Sequence, residues 1–382
     1  VKRSVLGRGL LPAAVVLSLA LAACGGDDDS SGNDATTSDA ADTASADESA
    51  PASDEAAAEL SGTIAGAGAT AQQAAQQAWV AGFAELQPGV TVNYDPIGSG
   101  GGREQFLAGG TVFAGSDAYL DDEELTLAQE RCGGDPVEFP VYVSPIAVAY
   151  NLPGVDSLNL SPAAVAGIFA GTITTWNDPA IADDNPDAEL PDTAVTPVHR
   201  SDDSGTTENF TDYLTQVAGD VWTFDVVETW PGELGGEAAQ GTSGVVAAIT
   251  AGDGYVGYAD ASQVGDLGVA NIGVGEDFVE FSPEAAAAVL DASTRVEGRP
   301  ATDIAIDVAR DTTEADTYPI VLVSYAIGCL TYEDPTEAEL VSAYLAYMVS
   351  AEGQDAAAEN AGSAPITDTL REEIVAIIDQ IG

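Results

Sequence analysis

Three turns in this chain set a side-chain hydroxyl and exposed backbone N–H groups at the predicted start of a helix. Thr70 follows Gly66-Ala67-Gly68-Ala69, Ser99 precedes Gly100-Gly101-Gly102, and the third turn is Ser204-Gly205-Thr206. A helix start carries about half a positive charge and free amide donors, which suits an oxyanion. Glycine lets the backbone come close to such a ligand. One turn of this kind says little, because Ser and Thr cap helices in proteins of every function. Three of them, with Arg200 just ahead of Ser204, point to a cradle for a single anion. Missing chemistry narrows the field further. His199 is the only histidine, so no set of histidines exists to act as base and ligands; it reads as a strand-end residue beside Arg200. No pair of cysteines has metal-ligand spacing. The segment Asp183-Asp184-Asn185-Pro186-Asp187 has Ala188 where a calcium loop turns on glycine and Ala194 where its closing Glu belongs, so it reads as a solvated loop. No metal and no cofactor are expected. Two rival readings stay open on these residues alone: a phosphatase-type hydrolase using a serine of the same cradle, and a binder of another oxyanion such as sulfate or molybdate.

The elements that must position these turns follow an α/β grammar. Gly62 to Ala65 reads as a strand running into the first turn, and Ala75, Trp79, Phe83 and Leu86 fall on one face of the helix after it. Val90 to Tyr94 alternates as a strand, and the turn at Ser99 opens a helix carrying Phe106 and Leu107. Strand, glycine-rich turn, helix and strand again predict a parallel α/β sheet, whose ligands sit outside the carboxyl ends of the strands. Tyr142 to Tyr150 and Ile320 to Gly328 are apolar runs that read as strands buried on both faces. Val195 to His199 is a strand leading to Arg200 and the third turn. Ser161-Pro162, Ser282-Pro283 and Asp334-Pro335 read as helix starts, the last opening a helix to about Ser350.

At 382 residues the chain has room for two domains, and its hydrophobic content of 45% belongs to a globular protein. Sixty-three acidic residues stand against 10 basic ones, a net charge of −53. No basic stripe can be assembled from so few cations, which excludes nucleic acid as a partner. Lys2, Arg3 and Arg8 precede an apolar stretch, Leu10 to Ala20, too short to span a bilayer and suited to a secretory signal. Leu21-Ala22-Ala23-Cys24 then resembles the lipobox of bacterial lipoproteins, which implies a signal peptide over 1–23 and lipidation of Cys24. Cleavage there removes three basic and no acidic residues, taking the net charge from −53 to −56 and leaving seven arginines and no lysine. Residues 25–59 contain no aromatic residue, Val, Leu or Ile, so nothing there can enter a core. With Cys24 they form a predicted acidic tether over 24–59, with an end-to-end distance of roughly 35 Å. In an oxidising export compartment the remaining pair, Cys132 and Cys329, is a disulfide candidate.

Taken together, Gly66-Ala-Gly-Ala-Thr70, Ile97-Gly-Ser-Gly-Gly-Gly102, Gly115-Ser-Asp117 and Arg200-Ser-Asp-Asp-Ser-Gly-Thr206 resemble four signature segments of the bacterial phosphate-binding proteins of the phosphate ABC transporter. Order and approximate spacing agree, and the likeness runs from about Leu60 to the end. It implies a two-lobed α/β fold of the periplasmic-binding-protein kind (type II) with two hinge-crossing strands. Lobe 1 would comprise 60–151 and 319–382, lobe 2 would comprise 152–318, and the chain would cross near Asn151 and return near Pro319. The resemblance further implies that Thr70 and Ser99 give hydroxyl and amide to phosphate, and Ala71 its amide. Asp117 would accept a hydrogen bond from the ligand, Arg200 would pair with its oxygens, Ser204, Gly205 and Thr206 would surround the remaining oxygen, and Asp202 would hold Arg200 in place. Partners would be inorganic phosphate and the permease and ATPase subunits of an importer. The binding subunit would be a monomer on the extracytoplasmic face of the cell membrane, held there by its lipid. The chain departs from the family in having Ala71 where an aromatic residue is common, and in lacking the Asp that usually follows the position of Val112.

Overall fold

The computed structural model describes residues 59–382. The expected signal segment, the Cys24 lipidation site and the tether up to residue 58 lie outside the described residues. Among the described residues no helix is long and apolar enough to cross a membrane.

The first half follows the expected order. Strand β1 (Gly62–Gly68) leads to helix α1 (Gln73–Leu86), β2 (Val90–Asp95) to α2 (Ser99–Leu107), and β3 (Phe113–Ser116) to α3 (Asp122–Cys132) and β4 (Pro136–Asn151). The second half runs β5 (Asn159–Leu160), α4 (Pro162–Phe169), α5 (Pro179–Asp184), β6 (Thr196–Arg200), α6 (Gly205–Ala218), β7 (Glu237–Ala239), α7 (Gly241–Ala251) and β8 (Tyr255–Asp260). Short strands β9 (Gly268–Val269), β10 (Asn271–Val274) and β11 (Asp277–Val279) precede α8 (Pro283–Ala292), β12 (Thr294–Arg295) and β13 (Ile306–Asp307). The chain ends with β14 (Val321–Cys329), α9 (Pro335–Val349), α10 (Ala351–Ala361) and α11 (Asp368–Ile378).

One sheet runs β2-β1-β3-β14-β4-β8-β6-β7. Its outer parts are parallel, as predicted: β1 with β2 and β3, and β6 with β7 and β8. The centre is not. Strand β14 lies antiparallel to both β3 and β4. The reason is connectivity: the chain leaves the first half on β4 and comes back on β14, so the two strands point in opposite directions.

Strand β4 joins the two lobes. Its residues Pro136 to Pro145 pair with β14, and Ile146 to Asn151 pair with β8. The change of partner falls at Pro145/Ile146, and Ile146 N donates to Ile320 O at 2.7 Å, where the chain returns. Asn151, expected at the crossing, lies at the far end of the strand. Residues just before the return also differ from the expected division: Glu138 N donates to Thr302 O and Ile304 N to Glu138 O, so this stretch packs on the first half of β4.

Both apolar strands predicted from sequence are fully buried. Trp79 and Phe83 are buried as the helical spacing implies, but Leu86, the last residue of α1, is 54% exposed. Ser161, Ser282 and Asp334 each cap a helix with proline in its first turn. Cys132 and Cys329 are disulfide-bonded with Cα atoms 5.3 Å apart, tying the end of α3 to the end of β14. The acidic segment at 183–187 is not merely solvated. Asp184 Oδ2 accepts from Ser161 N at 2.7 Å, and buried Asn185 donates to the Asn159 and Ile181 carbonyls.

Candidate functional site

The turns that carry hydroxyls all open at the carboxyl ends of parallel strands. Thr70 and Ala71 follow β1, Ser99 begins α2 after β2, Asp117 follows β3, and Ser204, Gly205 and Thr206 follow β6, which ends at Arg200. Two glycines let these turns meet. At Gly98 the backbone has φ +105°, and a Cβ there would come within 2.7 Å of Asp202 Oδ2. At Gly205 a Cβ would lie 2.7 Å from Ala118 N and 2.8 Å from the Asp117 carbonyl carbon. The start of α6 therefore butts directly against the Asp117 backbone.

A continuous set of hydrogen bonds results. Asp117 N donates to Ser99 Oγ at 3.1 Å, and Thr206 Oγ1 donates to Asp117 Oδ2 at 2.9 Å. Arg200 Nη1 reaches Thr206 Oγ1 at 3.4 Å, while Arg200 Nε donates to Asp202 Oδ1 at 2.8 Å. Asp202 Oδ1 also accepts from Gly241 N, so the carboxylate that fixes the guanidinium is itself fixed by the start of α7. Ser204 Oγ caps α6 by accepting from Thr207 N. In that role its own proton remains available to donate. Thr70 Oγ1 accepts from Thr242 N at 3.1 Å and lies 2.9 Å from Thr242 Oγ1. Ala71 is fully buried beside it. His199 stacks on Trp230 with ring centroids 5.0 Å apart, and its Nδ1 lies 3.0 Å from Arg200 O. Burial pushes its pKa down.

Charge is held under tight local control. Asp117 and Arg200 are 3% and 2% exposed. Burial pushes the Asp117 carboxyl up to about 6, against the pull of the Ser324 and Thr206 hydroxyls and the Arg200 charge. Burial also works to raise Asp202, but the Arg200 hydrogen bonds and charge outweigh it and hold that carboxyl below its ordinary value.

Several residues that the sequence reading did not single out belong to the same constellation. Asn209 Nδ2 donates to the Asp117 carbonyl at 2.7 Å, Thr242 meets Thr70, and Ser324 Oγ donates to Asp117 Oδ1 at 2.6 Å. Arg103 donates through Nε to both oxygens of Glu124, through Nη1 to Ser116 Oγ at 2.9 Å, and through Nη2 to Glu228 Oε2 at 2.6 Å. Two of these left a signal. Ser324 is a hydroxyl inside an otherwise apolar buried run, and Arg103 is one of few cations and follows directly on the glycines. Asn209 and Thr242 left none, because each acts through a fold contact remote in sequence.

Comparison with known proteins identifies the family and the fold. A family profile described as a PBP superfamily domain matches residues 45–352. The chain is 35% identical over 376 residues to phosphate-binding protein PstS 3 of Mycobacterium tuberculosis, covering 95% of each chain. It is 35% identical over 322 residues to phosphate-binding protein PstS 2 of the same species, covering 82% of this chain and 86% of the relative. Among solved structures, a high-affinity periplasmic phosphate-binding protein (PfluDING) bound with phosphate shares the fold, with a TM-score of 0.67 and 24% identity over 82% of this chain and 93% of the other.

Proposed function

This chain belongs to the phosphate-binding protein family within the PBP superfamily, and from that premise we propose that it captures inorganic phosphate between its two lobes and delivers it to an ABC-type importer outside the cytoplasm. Its relatives are named as binding proteins, and it is a binding protein, not an enzyme. The observation that carries the reading is the pairing of buried Asp117 with buried Arg200 through Thr206, which joins the turn after β3 to the turn after β6.

In this reading Arg200 supplies the one full positive charge, and Thr70, Ala71, Ser99, Ser204, Gly205 and Thr206 supply amide and hydroxyl donors. Asp202 keeps the guanidinium oriented. Asp117 selects. A carboxylate facing an anion is unfavourable unless a proton lies between them; phosphate carries one at neutral pH and sulfate does not. A site built around a ligand hydrogen bond rejects an analogue that lacks it by about 10⁴–10⁵. The overall charge of −53 does not forbid an anionic ligand. Long-range repulsion is screened beyond about 8 Å in physiological salt, whereas charge-assisted hydrogen bonds act at contact. Lobe closure over the ligand, about β4 and the return into β14, is the signal a permease reads. Lipidated Cys24 and the tether hold the head at the membrane.

Titrating the full chain with phosphate by calorimetry tests this directly. Phosphate binds, and a large excess of sulfate fails to displace it; displacement by sulfate overturns the selective role of Asp117. Steady hydrolysis of a chromogenic phosphoester, abolished by Ser204→Ala, would replace transport with catalysis. Cys24→Ala releases the protein from the membrane fraction; retention there overturns the lipid anchor.

A further inference from the structure

Behind Asp117 lies a line of buried polar side chains that phosphate contact does not require. Tyr344 Oη donates to Gln76 Oε1 at 2.8 Å, and Gln76 Nε2 donates to Gln72 Oε1 at 2.9 Å. Gln72 Nε2 donates to Ser324 Oγ at 2.6 Å, and Ser324 Oγ donates to Asp117 Oδ1 at 2.6 Å. Tyr344, Gln72 and Ser324 are wholly buried, and Gln76 is 2% exposed.

The direction of this line is fixed by its neighbours. Gln72 Nε2 also lies 3.0 Å from the Tyr325 carbonyl, which can only accept, so the amide nitrogen must face that way. Ser324 Oγ therefore receives a proton from Gln72 and has a single proton of its own to give. Its choices are Asp117 Oδ1 at 2.6 Å and the Ser116 carbonyl at 3.3 Å, and the shorter, charge-assisted bond wins. Oδ1 is thereby committed as an acceptor.

We propose that Ser324 and Gln72 are positioning residues for ligand discrimination: they hold Asp117 Oδ1 as a permanent acceptor, so that Oδ2, beside Thr206 and Arg200, is the atom that must receive a proton from the ligand. The class of ligand so selected is a tetrahedral oxyanion that carries a proton. This inference rests on the phosphate reading above. Other groups bear on the same carboxyl: Arg200 favours its charge, Glu228 opposes it, and Tyr94 faces it from β2. Glu208, Asp212 and Arg310 line with it a cavity of about 250 Å³. None of these donates to Oδ1.

Ser324→Ala removes the donor and raises the tendency of Asp117 to protonate. Phosphate affinity of the full chain, measured by calorimetry against pH, should stay within about threefold of the parent near pH 8.5 and fall about fivefold below it near pH 6, moving the acid limb up by about one pH unit. Referring each variant to the parent cancels the titration of phosphate itself. Sulfate competition should appear at correspondingly higher pH, since a protonated Asp117 can donate to sulfate. Ser324→Thr keeps the hydroxyl and should restore the parent profile. Gln72→Glu places an acceptor against Ser324, draws its proton away from Asp117, and should shift the limb in the same direction. It also serves as the deciding variant if Ser324→Ala fails to fold. Profiles that superimpose on the parent after scaling reduce these residues to packing and overturn the proposal. A parent chain that does not bind phosphate overturns the binding reading too, a result visible before any variant is made.

Discussion

Arg103 and Arg200 are both buried, and they differ in how many carboxylates they meet. Arg103 bridges two carboxylates: its Nε–H is shared between both oxygens of Glu124 and Nη2 donates to Glu228 Oε2, while Nη1 donates to Ser116 Oγ. Burial works to lower its pKa, but the charges and hydrogen bonds of Glu228 and Glu124 hold it above its ordinary value. Arg200 has one carboxylate partner, Asp202, and its Nη1 makes only a long 3.4 Å contact with Thr206. In a chain with 63 acidic residues, finding a partner for a cation is easy; keeping a second carboxylate away from one is the harder task. A guanidinium shared between two carboxylates is neutralised as a structural bridge, and one with a single carboxylate partner keeps more of its charge and N–H donors for an anion.

The contrast is broken most severely by removing Arg200. Arg200→Leu leaves half-buried Asp202 without its partner and should weaken phosphate binding by at least about a thousandfold, roughly 4 kcal/mol. Arg103→Leu should instead lower the urea midpoint of unfolding while leaving the preference for phosphate over sulfate unchanged. Loss of that preference would make the two arginines one functional unit.

A second test uses Asp117. Its carboxyl is raised in the folded protein, so its contribution favours the fold below about pH 4 and is lost as pH rises through about 6. Burial pushes Asp260 up to about 7, and burial followed by the Glu228 charge pushes Glu208 up to about 8, which extends the same decline. The ligand-free protein should therefore be more stable at pH 5 than at pH 8. Asp117→Asn should remove about 1–1.5 kcal/mol of that difference while losing discrimination against sulfate. A variant no more stable than the parent at pH 8 shows that Asp117 is not under strain.

Glu228→Gln gives the smallest effect. It keeps the shape of the Arg103 bridge but removes one charge from it, and relieves the repulsion that raises Glu208. Phosphate affinity should fall by about three- to tenfold, about 1 kcal/mol, with a smaller loss of stability between pH 6 and 8 than in the parent. An affinity equal to the parent's would mean that the bridge does not favour the closed cleft.

Much of the candidate site was legible because the residues assigned to it sit on turns with local signatures. Glycine before Ser99 and beside Thr206, and hydroxyls at helix starts, reflect backbone requirements confined to a few neighbouring residues. Trp79 and Phe83 were legible for the same reason, since helical periodicity is local. Leu86 was misjudged because exposure depends on where the helix ends. Gln72 and Asn209 were invisible: an amide looks the same whether it faces water or, like Asn209 Nδ2, donates to Asp117 O from a position 92 residues away.

The sequence by itself determined the α/β order of the first half, the three hydroxyl-bearing turns, the scarcity of cations and the resemblance to a family of anion binders, because each is written in short-range pattern or in composition. Only the tertiary structure decided that β4 exchanges partners at Pro145/Ile146, that Arg103 bridges two carboxylates while Arg200 meets one, and that Ser324 reaches Asp117. Those outcomes depend on which distant strands become neighbours, and hydrogen bonds of under 3.5 Å are fixed only once the lobes are packed.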